Sequence, residues 1–166
     1  MEQTSRWRRE GLVVGLIAYA SVAVFYSAFD LLADRGTLYT VDLLGKAAFR
    51  GLRDPGVLQY PIQPDASSIF WYNGVHLLLA LAIGLIVTRL IEQAERNRAH
   101  ARPVLVVIVA GYVATVLSVG VLTSPAREVL PWWSIVIANA LATLLAGVYL
   151  LRQRPGLLGR LLLPLR

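Results

Sequence analysis

The chain has 166 residues, 57% of them hydrophobic, with a mean hydropathy of +0.61 and a formal charge of +6. A soluble domain of this length cannot bury so much apolar side chain, so composition places the chain in a membrane. The absence of cysteine excludes disulfides, thiolate metal sites, iron–sulfur clusters and thiol redox chemistry within the chain.

Lys46 is the single lysine, and every other cation is Arg. With abundant Ala, Leu and Val, this bias points to a GC-rich bacterial source. The positive charge flanks apolar runs and does not interleave with aromatics. It is read as topology and anionic lipid, not as a nucleic-acid surface.

A helix needs about 20 apolar residues to cross a hydrocarbon core of roughly 30 Å. Four stretches qualify, at about 11–33, 68–91, 103–123 and 129–151. The expectation is an all-α integral membrane protein: one domain, a bundle of four transmembrane helices and an amphipathic interfacial helix in a long first outer loop, 34–67. The first run is too long for a signal peptide and has no small residue at −3 from Ala28, so an uncleaved helix is expected.

Eleven of the sixteen cations lie in the N-terminus, the 89–102 connection and the tail 152–166, and five lie in the other two connections. The positive-inside rule then puts both termini in the cytoplasm of a bacterial inner membrane. Phe70, Trp71, Tyr72, Trp132 and Trp133 fall at the outer interface and Trp7 at the inner one. Each span carries small residues at four-residue spacing, as close helix packing in lipid requires. These are Gly11 and Gly15; Ala80, Gly84 and Thr88; Ala110, Ala114 and Ser118; and Ala138, Ala142 and Ala146.

In the outer loop, Val41, Leu44, Ala48, Phe49 and Leu52 recur at helical spacing opposite Asp42, Lys46, Arg50 and Arg53. This predicts an amphipathic helix along the membrane surface, ended by Asp54, Pro55 and Gly56. A proline strap follows through Tyr60, Pro61, Ile62 and Pro64. Its apolar groups, with the helix end, form a candidate partner-docking surface: Phe49, Leu52, Leu58, Tyr60 and Ile62. The tail alternates Leu with Arg160 and Arg166 and reads as a segment on the inner leaflet.

Polar groups inside a bilayer are the candidates for chemistry. No cofactor is predicted; His76 heads the candidates, read either as a hydrogen-bonded histidine near the interface or as an axial ligand of haem or chlorophyll or a proton relay. His100 is 24 residues away, about 36 Å along a helix, so the two cannot ligate one haem within the chain. Asp30, Asn73, His76 and Asn139 make up a candidate polar pocket. Asp30 and Asp34, near Arg35, read as outer acids that pair with it or cap the next segment. Glu92, Glu95, Arg89, Arg96, Arg98 and Arg102 read as a solvated helix end. The sequence has no HExxH, GxSxG, P-loop or GxGxxG, so no catalytic residue and no metal site is assigned.

The functional expectation is a non-catalytic accessory or scaffold subunit of a larger bacterial membrane complex of respiratory or photosynthetic type. Its partners are the bilayer and other membrane subunits or copies of itself. The alternatives are a small transporter or channel acting as a homo-oligomer, and a cofactor-binding protein using His76.

Overall fold

A computed structural model describes residues 2–51, 63–124, 127, 130–156 and 159. Among them the chain is entirely helical, in the order α1 (Glu2–Leu32), α2 (Tyr39–Phe49), α3 (Ala66–Arg96), α4 (Ala101–Leu122) and α5 (Trp132–Gln153), with a short 3-10 turn at Arg98–His100. Four of these helices are long and apolar enough to cross a membrane: α1 from Arg6, α3, α4 and α5. The expected Leu52, Leu58, Tyr60 and Ile62 of the docking strap lie outside the described residues, as does most of the Leu/Arg tail.

The core is a three-helix unit. Helix α1 packs along α3 on one side and α5 on another. The α1–α3 crossing is a near contact of backbones. A Cβ added to Gly84 would stand 2.3 Å from the Gly11 carbonyl oxygen and 2.6 Å from the Gly15 nitrogen. Only glycine permits that approach, and it brings the facing surfaces close enough for dispersion to hold them where lipid supplies no hydrophobic drive. Thr88, fully buried beside it, returns its hydroxyl to the Gly84 carbonyl at 2.9 Å. Across from α1, Ala138, Ala142 and Ala146 of α5 are buried in a row.

Helix α4 is held differently. It buries only Ala101 and Val104, both at its first turn, where they meet Ala94 of α3. Further along, the Tyr112 hydroxyl donates to the Val136 carbonyl at 3.3 Å. Its small residues Ala110, Ala114 and Ser118 are exposed, so this row, unlike those of α1, α3 and α5, faces away from the chain.

Helix α2 folds back over the end of the bundle where α3 begins. Its Gly45 lies against the Ser68 backbone, so closely that an added Cβ would sit 2.4 Å from the Ser68 carbonyl oxygen. Leu43 and Leu44 are buried with Tyr39 and Leu130, and Tyr26 and Tyr72 pack beneath them. The buried side of α2 therefore differs from the apolar stripe expected from spacing. Leu44 belongs to both, but Asp42 is buried and Phe49 is 46% exposed. The close approach to α3 sets the face, and Asp42 tolerates it because both its oxygens are used. One accepts from the Lys46 ammonium at 2.5 Å, the other from the Asp65 backbone N–H at 2.9 Å. The helix also stops earlier than Asp54 to Gly56, since Gly51 turns the chain at φ 64°.

Candidate functional site: polar groups between the spans

Polar side chains between the helices fall in three layers. In the first, at the end where α2 lies, Asp30 at the end of α1 is fully buried. Its carboxylate accepts the Thr40 backbone N–H at 2.7 Å and the Thr40 hydroxyl at 2.6 Å. It thus caps the start of α2, where unpaired N–H groups and the helix dipole favour a negative charge. Asp34 takes no part: it is exposed in a left-handed turn at φ 56°. Arg35 lies over the Tyr39 ring, 5.1 Å from its centroid, and its charge acts on Asp30.

Next to it, Asp65 caps α3, accepting from the Ser67 N–H at 3.0 Å and the Ser68 hydroxyl at 2.6 Å. The Ser68 hydroxyl chiefly, then the Ser67 and Ser68 amides and Arg50, hold its carboxyl below the usual range. Lys46 reaches across to the Gln63 carbonyl at 2.6 Å. Loop, α2 and α3 are therefore joined by a continuous polar chain.

The middle layer contains His76, ten residues into α3, or about 15 Å along its axis. Its ring packs against Tyr19, 5.2 Å between centroids, and Tyr72, 5.7 Å. The Tyr19 hydroxyl and the Asn73 side-chain oxygen lie 2.9 Å apart, the hydroxyl donating. The Asn73 amide donates back to the Ile69 carbonyl. The structure thus gathers Asn73 and His76 around Tyr19. Asp30 is committed to Thr40, and Asn139 donates to the Ile135 carbonyl of its own helix at 2.8 Å. No hydrogen bond among the described residues joins either of them to His76. Tyr19 is the member that residue-by-residue reading missed, because its relation to Asn73 appears only when α1 and α3 run antiparallel.

The third layer, at the end where α1 starts and α3 and α5 end, is ionic. Arg154 is 7% exposed and Glu10 5%. The Arg154 guanidinium donates to Glu10 at 2.8 Å through Nε and to Glu95 through Nη1. Arg6 donates to the other Glu10 oxygen at 2.8 Å and to the Gln153 carbonyl at 3.0 Å. Beside this clamp, Glu92 accepts from Arg89 at 2.9 Å and Arg96 at 2.7 Å. The charges expected to form a solvated end are in part a buried tie between three helices.

Among the described residues, no group of three or more His, Cys, Asp or Glu side chains is placed to hold a metal ion. Compared with known protein families, characterised proteins and solved structures, the chain matches none.

Proposed function

We propose that this protein is a non-catalytic scaffold subunit of a larger bacterial inner-membrane assembly, bound laterally through α4. The observation that carries this reading is the uncovered face of α4. Leu105, Val106, Val109, Ala110, Val113, Ala114 and Leu117 form an open apolar face with two alanines at four-residue spacing. The same device is filled in α1, α3 and α5. In α4 it is left for a helix from outside the chain.

The polar groups support the same reading. Asp30, Asn73, Thr88, Asn139 and Arg154 are all engaged within the chain, which leaves few groups to line a path for a transporter or channel. We place both termini in the cytoplasm on the cation count and α2 across the outer end, at the membrane interface. The partner is a membrane protein of respiratory or photosynthetic type.

The experiment exploits the lack of cysteine. Ala110→Cys and Ala114→Cys are introduced singly, and membranes are treated with a bifunctional thiol or photoactivatable cross-linker before mass spectrometry. Adducts to one other membrane protein, absent for Gly74→Cys on the open side of α3, are expected. Adducts only to lipid would overturn the proposal, and adducts only to the same chain would favour a homo-oligomer.

A second reading rests on His76, whose ring has aromatic neighbours but no hydrogen bond among the described residues. Such an imidazole can ligate a haem or chlorophyll metal. A Soret or chlorin band in the purified protein, lost in His76→Ala, would support it; a featureless visible spectrum would remove it.

A further inference from the structure

The inner end carries one feature that neither the helix ties nor the open face of α4 uses. Trp7 Nε1 is the one buried side-chain polar atom with no hydrogen-bond partner among the described residues. Buried N–H groups are nearly always paired, so an orphan needs a reason. Two guanidiniums flank the same indole: the Arg8 and Arg89 guanidinium carbons each lie 5.5 Å from the ring centroid. Arg8 has no carboxylate partner among the described residues. Arg89 shares Glu92 with Arg96.

The depth of the cluster is informative. Arg89 stands where the apolar run of α3 meets its charged end, and Arg8 where that of α1 begins. Leu12 and Leu16 follow Arg8 at one-turn intervals on the same face of α1, and both are exposed. Ile86, one turn before Arg89, is exposed as well. Each cation therefore heads a stripe of uncovered apolar side chain. A ligand matching this arrangement is anionic at one end and apolar along the rest.

We infer that Trp7, Arg8 and Arg89 form a binding site for the phosphate headgroup of an anionic phospholipid. The two guanidiniums neutralise and hydrogen-bond the phosphate oxygens. The indole N–H, buried in the free protein, supplies a third donor once the exposed Arg8 and Arg89 side chains shift to admit the headgroup beside it, and the acyl chains lie along Leu12, Leu16 and Ile86. Glu92 tempers the charge, and Arg9, exposed beside Arg8, adds to it.

The test uses the full chain, delipidated in detergent and titrated with short-chain phosphatidylglycerol, phosphatidylcholine or inorganic phosphate, with bound lipid counted by native mass spectrometry. Phosphatidylglycerol is expected to bind in preference to phosphatidylcholine. A cation near an anionic headgroup contributes roughly fivefold in affinity, so Arg8→Gln with Arg89→Gln should weaken phosphatidylglycerol binding about thirtyfold. Trp7→Phe, which keeps the ring and removes only the N–H, should weaken it about fivefold. Arg102→Gln with Arg152→Gln removes the same charge at the same end of the bundle and should change affinity less than about threefold. Equal losses in the two double variants would mean diffuse attraction and overturn the site. Displacement of the lipid by millimolar inorganic phosphate would reassign it to a soluble anion and overturn the lipid assignment.

Discussion

Replacing Arg154 with Met tests whether the ionic clamp holds the fold. The side chains of Arg154 and Glu10 are 6% and 7% exposed, and that of Glu95 is 27% exposed. Removing one member of a buried pair leaves an uncompensated charge and costs about 3–5 kcal/mol. Two features put this case at the lower end. Glu95 can turn to water, and Glu10 keeps Arg6, a largely exposed partner at i,i+4 that contributes only about 0.3–0.5 kcal/mol. The expected loss is thus about 3 kcal/mol. Glu10→Gln should cost less, because Arg154 retains Glu95. Combining Glu10→Gln with Arg154→Met removes the stranded charge, so the double variant should be more stable than the sum of the singles predicts, by about 1–2 kcal/mol. Reversible unfolding in mixed micelles, followed by tryptophan fluorescence, measures all four proteins. If Arg154→Met changes stability by less than about 0.5 kcal/mol, or the cycle is additive, the clamp is not an energetic unit and the reasoning fails.

Gly84→Ala forces a methyl group into the Gly11 carbonyl and should destabilise by about 1–3 kcal/mol. Gly74→Ala in the same helix has open space and should be neutral or gain up to about 1 kcal/mol; micelle unfolding of the pair separates close packing from helix propensity. Asp30→Ala leaves the Thr40 N–H without its acceptor, a loss of about 1–3 kcal/mol. Hydrogen exchange should show it as faster opening of α2 with α3 little changed. Asp65 has its carboxyl held low by Ser68, Ser67 and Arg50, so its contribution is full above the ordinary Asp value of about 3.9 and is lost as pH falls through the lower folded value. The protection factor at the first turn of α3, with the intrinsic pH dependence of exchange divided out, should therefore be flat from pH 7 to about 5 and fall only in strong acid; a fall near pH 6 would assign the dependence to another group.

The spans were legible because length and hydropathy are properties of single segments. The helix boundaries were less so, and α3 shows why. Its apolar run ends near Ile91, but the helix continues to Arg96. Glu92 finds Arg89 and Arg96 within a turn, while Glu95 finds Arg154, 59 positions away. The nearby pairs can be read from spacing; the distant one cannot, so Arg154 looked like one more tail charge. The same limit applies to α2. Periodicity finds an apolar arc, but Gly45 against Ser68 decides which arc is buried. Asp30 was legible as a cap for the segment after it, since an acid at a helix end beside a short turn has little else to reach. Its partner Thr40 was not named in advance. Tyr19 and Trp7 were invisible as site members, because an aromatic in an apolar run gives no sign of what lies across the helix pair.

The distribution of these contacts argues for a division of labour within one small fold. Helices α1 and α3 are fixed to each other by glycine contact, and a buried cation from the end of α5 ties to both. Helix α2 is fixed to α1 and α3 by two carboxylates that cap helices and one that joins the loop. Helix α4 shares few of these ties. It is anchored by its first turn and by one tyrosine hydroxyl, yet it has the highest hydropathy of the four candidate spans. A span held so lightly has more freedom to adjust its tilt than the other three, and in lipid such freedom is restricted by whatever packs against its small-residue row. A scaffold subunit built this way would present one adaptable face on a rigid frame. Cross-links from Ala110→Cys and Ala114→Cys should then be far more sensitive to loss of a partner than any property of the three-helix core.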